Sequence, residues 1–325
     1  MEENNQNPRI DLTQFSEKIA RLRENISDII VGQEQAVDLV LTAILANGHV
    51  LIEGVPGVAK TLLARLIARL IDTRFSRIQF TPDLMPSDVL GTTVFNMKTQ
   101  EFDFHRGPVF ADIVLVDEIN RAPAKTQAAL FEVMEERQVT IDGETHRMGD
   151  VYTVIATQNP VEQEGTYKLP EAQIDRFLMK ITMDYPSIDE EVKILERHNE
   201  NAAFVRLEEV RPVISHAELL TLRRMLADVF VESSLLRYIA AIVQQTRQSK
   251  AVFLGASPRA SVAMLQASKA YALLQGRDFV TPDDIKSVTP AILQHRLILN
   301  AEAEMEGHTP LKVAQRLIEK VEVPK

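Results

Sequence analysis

The sequence contains no cysteine and no tryptophan, and no apolar run reaches the length of a membrane span. Without cysteine, neither a disulfide framework nor a thiolate metal site can form. Basic residues are also in deficit, since 36 Lys and Arg against 46 Asp and Glu give a net charge of −10. Binding of nucleic acid by a broad basic face is therefore not expected. The polar first residues have no apolar signal core, so we expect a cytoplasmic protein without membrane insertion.

The composition that remains is that of an ordinary globular protein, with 45% hydrophobic and 25% charged residues. A length of 325 residues suggests two domains. Short apolar runs alternate with helical patterns as far as Pro186, which predicts a parallel α/β sheet, and the pattern beyond is almost entirely helical. We therefore expect a disordered tail over residues 1–10, an αβα core over residues 11–186 and an all-α domain over residues 187–325.

Two segments interrupt the alternation of strands and helices. Residues 91–108 are predicted to form a loop or hairpin, and residues 138–150 a hairpin that turns at Asp142-Gly143. Asp-Gly between alternating residues is a strong signal for a tight hairpin turn. Loops on a rigid scaffold often carry function, so we expect these inserts to serve work on a partner.

A buried strand ending at Glu53 is followed by a glycine-containing turn and then by a helix, which is the context of the phosphate loop G-x-x-x-x-G-K-[ST]. Backbone N–H groups and the helix start bind the phosphates, the lysine reaches the β and γ phosphates, and the hydroxyl binds Mg²⁺. Ala59 replaces the second glycine, so its backbone must tolerate a Cβ. The predicted nucleotide-binding residues are Gly54, Val55, Pro56, Gly57, Val58, Ala59, Lys60, Thr61 and Leu62, with Thr61 also a ligand of Mg²⁺.

An apolar strand over residues 113–116 ends in Asp117 and Glu118. The carboxyl ends of parallel strands form the ligand-binding edge of an open α/β sheet. Asp117 is therefore predicted to hold Mg²⁺, and Glu118 to activate the attacking water as a general base. Asn159, at the end of the next strand, is predicted to hydrogen-bond the γ-phosphate or that water. These residues predict an ATP hydrolase that uses ATP and Mg²⁺.

Four segments in this order resemble the MoxR family of AAA+ ATPases, in which alanine is common at the position of Ala59. The segments are GVPGVAKT (54–61), VDEINRAP (116–123), ATQNP (156–160) and LPEAQIDRF (169–177). The similarity extends from about Phe15 to about Val321. It implies an AAA+ P-loop αβα domain followed by an all-α lid and assembly into a ring, expected to be a hexamer. It also implies a chaperone-like role on partners with von Willebrand factor A domains.

The resemblance implies further residue roles. The phosphate loop and the acidic pair correspond to Walker A and Walker B, and the asparagine of ATQNP to sensor 1. Val31 and Gly32 resemble the segment that lines the adenine pocket. Arg176 resembles the arginine finger, which acts on the ATP of a neighbouring subunit, and Arg121 is an alternative for that role. Arg259 resembles sensor 2, which from the lid would touch the γ-phosphate of its own subunit.

Other functions use related folds. The two inserts resemble the hairpins of the helix-2-insert clade, which also contains magnesium-chelatase subunits, so a metal-insertion motor is one alternative. A nucleic-acid motor or loader is another, and the net charge of −10 disfavours it. A small-molecule kinase would need neither a neighbour's arginine nor such a lid. The leading interpretation is an ATPase that remodels or matures a partner protein.

Overall fold

The structure, a computed structural model, describes residues 12–160, 166–167, 169–199 and 207–324. The tail predicted for residues 1–10 lies outside these ranges. The strands are β1 (Val50–Gly54), β2 (Phe75–Gln79), β3 (Gly91–Asn96), β4 (Glu101–Arg106), β5 (Ile113–Asp117), β6 (Gln138–Ile141), β7 (Glu144–Arg147), β8 (Thr153–Gln158), β9 (Met179–Met183), β10 (Val252–Leu254) and β11 (Ile298–Leu299). The helices are α1 (Thr13–Ser27), α2 (Glu34–Leu45), α3 (Lys60–Leu70), α4 (Pro86–Leu90), α5 (Ala124–Glu136), α6 (Glu171–Ile174), α7 (Ile188–Asn199), α8 (His216–Met225), α9 (Ser233–Gln248), α10 (Pro258–Leu274), α11 (Pro282–Leu293), α12 (Ala301–Met305) and α13 (Pro310–Glu319).

Five of these strands form a parallel sheet in the order β2-β5-β8-β1-β9. In the register, Leu51 of the fourth strand lies opposite Ala156 on one side and Lys180 on the other. Every residue of β5 is buried, which is typical of a parallel strand covered on both faces. The predicted parallel α/β sheet is therefore confirmed.

Apolar side chains form one cluster on each face of the sheet. One cluster joins Phe131 of α5 to Val116 of β5. The other begins at Ile52 of β1 and Leu66 of α3 and continues into the carboxyl-terminal helices, where it includes Met264 of α10. The helical region is thus anchored to the sheet by shared apolar packing. The division of the chain near residue 186 stays a prediction.

The two segments outside the alternation are antiparallel hairpins, β3–β4 and β6–β7. The second turns at Asp142 and Gly143, both with positive φ, as the tight hairpin turn requires. The rings of Phe104 and His146 stack with centroids 4.3 Å apart, so the two hairpins contact each other.

Helices α7 to α13 make up most of the described chain beyond Pro186. Three of them, α10, α11 and α13, begin with proline, whose fixed φ suits the first helical position. The antiparallel pair β10–β11, in which Leu254 lies opposite Ile298, was not predicted from the sequence. Strands this short cannot display a two-residue period. Among the described residues, no helix combines the length and apolarity that a membrane span requires.

Candidate active site

The phosphate loop leaves the end of β1 and turns into α3 through two residues of positive φ, Gly57 (+90°) and Ala59 (+62°). Ala59 immediately precedes the helix and adopts the left-handed conformation, which costs a residue with a Cβ about 1–2 kcal/mol. This tight turn brings the chain directly to the start of α3, where the first N–H groups have no partner within the helix. Such a helix start is suited to binding phosphate.

Two side chains of the loop define its chemistry. Lys60 Nζ donates to the carbonyl of Gly54 and, at 3.2 Å, to that of Val55, so the ammonium group lies over the loop. Thr61 Oγ1 lies 3.4 Å and 3.5 Å from the two carboxylate oxygens of Asp117. A hydroxyl and a carboxylate at one point are oxygen ligands of the kind that Mg²⁺ prefers, with phosphate oxygens completing its shell.

The acidic pair is held by a network centred on Thr157. The Thr157 hydroxyl donates to Asp117 Oδ1 at 3.2 Å and accepts from the backbone N–H of Glu118 at 3.0 Å. Arg77 Nε donates to the other Asp117 oxygen at 2.6 Å. Asp117 is nearly buried, whereas half of the Arg77 side chain is exposed. The structure thus adds Thr157 and Arg77 to the predicted site.

Glu118 follows β5 in the left-handed conformation, with φ +56° and ψ +52°. Such strain in a residue with a Cβ is typical of functional positions. Its Oε2 accepts from Gln79 Nε2 at 2.9 Å and contacts Arg121 Nε at 3.2 Å. Arg121, the alternative trans-acting arginine, therefore pairs with the Glu118 of its own chain. Gln79 was missed because its role depends on the order of the strands.

The phosphate loop and the acidic pair line one cleft, which encloses about 840 Å³ with its open mouth included. Asn159 lies in the wall of this cleft with Glu118, as predicted from its position after β8. A second cleft, of about 890 Å³, lies between the turn before α2, the end of β9 and helices α11 and α13. Gly32 lines this second cleft, and Val31 precedes it. Because β9 lies beside β1, the two clefts are neighbours.

The other two predicted arginines lie at the amino ends of the strands, whereas the phosphate loop lies at their carboxyl ends. Arg176 Nε lies 3.3 Å from Glu135 Oε2, and Arg259 contacts the other oxygen of that carboxylate at 3.1 Å. Arg259 also contacts Asp175 Oδ2 at 3.3 Å. These residues lie near the amino end of β9, whose first residue pairs with Val50 at the start of β1. The phosphate loop follows the other end of β1, roughly 15 Å away at about 3.3 Å per residue.

This placement does not support the expectation that Arg259 touches the γ-phosphate of its own subunit. The lid packs so that α10 begins beside the amino edge of the sheet, next to Arg176. Arg296 of the lid is almost fully buried and holds residues 175–177 in place. It donates to Asp175 Oδ1 at 2.6 Å and to the carbonyl of Phe177 at 2.8 Å. Strand β9 begins just after this segment, at Met179.

Known proteins resemble the chain over nearly its whole length. The profile of the ATPase family associated with various cellular activities (AAA) matches residues 49–179, and that of the AAA lid domain matches residues 244–320. The chain is 46% identical to chaperone MoxR1 of Mycobacterium tuberculosis, over 92% of its length and 80% of that protein. It is 48% identical to the uncharacterised protein YeaC of Bacillus subtilis, over 93% of each chain. A crystal structure of an inferred ATPase from Cytophaga hutchinsonii superimposes with a TM-score of 0.87 and 41% identity, over 96% of each chain.

Proposed function

The chain belongs to the MoxR family of AAA+ ATPases and hydrolyses ATP, and we propose that it uses this hydrolysis to remodel or mature a partner protein. The convergence of Thr61 on Asp117, with Lys60 over the same loop, carries the proposal of a Mg·ATP site. The name of MoxR1, a chaperone 46% identical to this chain, supports the action on a protein.

In the proposed reaction, Lys60 binds the β and γ phosphates, while Thr61 and Asp117 provide oxygen ligands for Mg²⁺. Mg²⁺, when bound, would neutralise charge on the phosphate oxygens. Glu118 takes a proton from the attacking water, whose oxygen bonds to the γ-phosphorus as the bond to the bridging oxygen breaks. Asn159 orients that water or the γ-phosphate. The products are ADP and inorganic phosphate.

We assign Arg176 and Arg259 to the ATP of a neighbouring subunit. The support is their shared contact with Glu135, at the edge of the sheet away from their own phosphate loop. A guanidinium supplied from outside stabilises the charge that develops on the transferred phosphoryl group. This role requires a head-to-tail ring, which we expect to be a hexamer.

The hairpin β3–β4 supplies a surface for the partner. Met97 at its turn is 86% exposed, and Phe102 is 73% exposed beside Phe95. Exposed apolar side chains on a protruding hairpin favour contact with another protein. We propose that this partner carries a von Willebrand factor A domain, as the family resemblance implies.

The test is capture of the partner by an ATP-loaded trap. Glu118→Gln should bind ATP, hydrolyse it slowly and retain a partner protein from lysate only when ATP is present. The control adds Lys60→Ala to the trap, which removes ATP binding and should abolish capture. Deletion of Asp142 and Gly143 should leave ATP binding intact and reduce partner capture. Equal capture by the trap and its control, or capture only of nucleic acid, would contradict the proposed function.

A further inference from the structure

Helix α7 presents an apolar stripe to solvent. Ile188, Val192 and Leu195 are spaced by four and three residues, so they lie on one face of the helix. Their exposed fractions are 82%, 45% and 62%. No described residue of α7 is buried, even though the helix has clear apolar and polar faces. An amphipathic helix ordinarily packs its apolar face against another element.

This stripe lies at the rim of the nucleotide clefts. Helix α7 follows β9, whose last residues line the second cleft. The carboxyl group of Glu190 lies so close to Gly32 that a Cβ there would be 2.5 Å from its Cδ. At the other end of the helix, Arg197 donates to the carbonyl of Asp28 at 2.7 Å. Helix α7 is thus fixed beside the segment predicted to line the adenine pocket.

A second apolar patch adjoins the arginines at the opposite edge. Phe253 and Leu254 of β10 are 78% and 54% exposed. Val262, also exposed, follows Arg259 by one turn of α10 and so lies on the same side of that helix. Only three residues connect β10 to α10, so Phe253 and Leu254, with Val262, flank the start of the helix that carries Arg259. We call Phe253, Leu254 and Val262 the Phe253 patch.

We propose that the α7 stripe of one copy of this chain packs against the Phe253 patch of the next copy. The proposal rests on the trans role of the arginines in the proposed function. If Arg176 reaches a neighbour's ATP, the surface around Arg176 and Arg259 of one subunit must face the mouth of the nucleotide cleft of the next. The Phe253 patch lies beside these arginines, and the α7 stripe lies beside the cleft. A head-to-tail interface joins two different patches of the same chain, and closure of the ring leaves neither exposed.

The charges beside the patches are complementary. In the first turn of α7, Asp189 and Glu191 flank the stripe, while Glu190 faces Gly32 of its own chain. The other patch is bordered by Arg259, which is exposed, and by Lys250, which is exposed just before β10. Opposite charges around an apolar centre guide the register of an interface and disfavour pairing of like patches. A second copy of the chain is therefore the occupant that both surfaces fit.

The absence of cysteine allows a direct test. Leu195→Cys and Phe253→Cys are prepared separately, mixed with a non-hydrolysable ATP analogue and treated with a short bismaleimide. We expect a cross-linked dimer in the mixture and none with either variant alone. The control replaces Phe253→Cys by Phe279→Cys, which is an exposed phenylalanine beyond the far end of α10. That 17-residue helix places it roughly 25 Å away.

Assembly provides the second measurement. Phe253→Asp should raise the concentration needed for ring formation in sedimentation experiments at least about tenfold, while Phe279→Asp should not. Normal ATP binding by both variants shows that each subunit is folded. Suppose that the unmodified chain assembles and hydrolyses ATP. Failure to obtain the mixed cross-link, or a cross-link of Leu195→Cys with itself, would then overturn this interface. An unmodified chain that hydrolyses ATP fully as a monomer would instead overturn the ring of the proposed function.

Discussion

The side-chain amide of Gln79 donates a 2.9 Å hydrogen bond to Glu118 Oε2 across the neighbouring strands β2 and β5. The same oxygen contacts Arg121 at 3.2 Å, so two donors orient one end of the carboxylate. The left-handed backbone of Glu118 turns this side chain into the cleft that the phosphate loop also lines. The proposed general base is therefore positioned by side chains from outside its own strand.

Glu118→Gln should bind Mg·ATP as tightly as the unmodified protein and turn it over about 10²–10⁴-fold more slowly. The amide keeps the shape of the carboxylate but cannot accept the proton of the attacking water. Calorimetry measures binding, and phosphate release measures turnover. Gln79→Ala is the matched variant, because it keeps the base and removes one orienting donor, so its loss of turnover should be smaller. Turnover near the original rate in Glu118→Gln would assign water activation to another residue.

Arg77→Gln should increase the apparent affinity for Mg²⁺ in the presence of ATP by a few-fold. The Arg77 guanidinium lies 2.6 Å from the Asp117 oxygen and competes with a cation for that carboxylate. The increase is small because a half-exposed ion pair contributes about 1 kcal/mol or less. Calorimetric ATP titrations at several Mg²⁺ concentrations measure it. Weaker Mg²⁺ dependence with weaker ATP binding would show instead that Arg77 holds the nucleotide.

Because of His49, the free energy of unfolding should decrease as the pH falls from about 6.5 to 4. Its Nε2 donates to the carbonyl of Met134 at 3.1 Å, and its Nδ1 accepts from the N–H of Val154 at 3.0 Å. A second proton, on Nδ1, would point at the N–H of Val154 and remove this hydrogen bond. Burial and the charge of Arg137 lower the pKa of His49 to about 4. The unfolded chain, with a pKa near 6.5, takes up the proton first, so the contribution is present above pH 6.5 and lost toward pH 4.

The loss due to His49 should be roughly 3 kcal/mol of unfolding free energy between pH 7 and pH 4. Urea denaturation at several pH values measures it. His49→Gln should flatten part of the pH dependence, and the exposed His105→Gln serves as the control. Burial also lowers the pKa of His295, so the remaining dependence keeps the same sign. An unchanged pH slope in His49→Gln would contradict the assignment.

The sequence predicted the parts of the site whose chemistry lies within one short segment. The phosphate loop was recognisable because its residues are consecutive. The expectation that Ala59 adopts a backbone conformation suited to a Cβ was wrong, since its φ is +62°. Arg77 and Gln79 were not predicted, since their contacts depend on β2 lying next to β5. The contacts of Arg259 with Glu135 and Asp175 were not predicted, because they depend on how the lid packs, which no local pattern records. The structure was needed to identify contacts between distant segments, whereas the chemistry of single segments was already evident from the sequence.

The proposed target of Arg176 is the ATP of a neighbouring subunit. The support is the strand length that separates Arg176 from its own phosphate loop, roughly 15 Å. Arg176→Ala should bind ATP normally and hydrolyse it poorly, with a loss at or below about 10³-fold, the lower end for arginine fingers. If the arginine comes from a neighbour, turnover per subunit of the unmodified protein should rise with protein concentration as rings form.

A mixture of Arg176→Ala with Lys60→Ala distinguishes action between subunits from action within one. Lys60→Ala loses the cation for the β and γ phosphates and should bind ATP weakly. If Arg176 acts across the interface, some neighbours in a mixed ring pair an intact nucleotide site with an intact arginine. Activity should then exceed that of either variant alone. If rings shown to contain both variants recover no activity, Arg176 serves only as the local ion pair with Glu135.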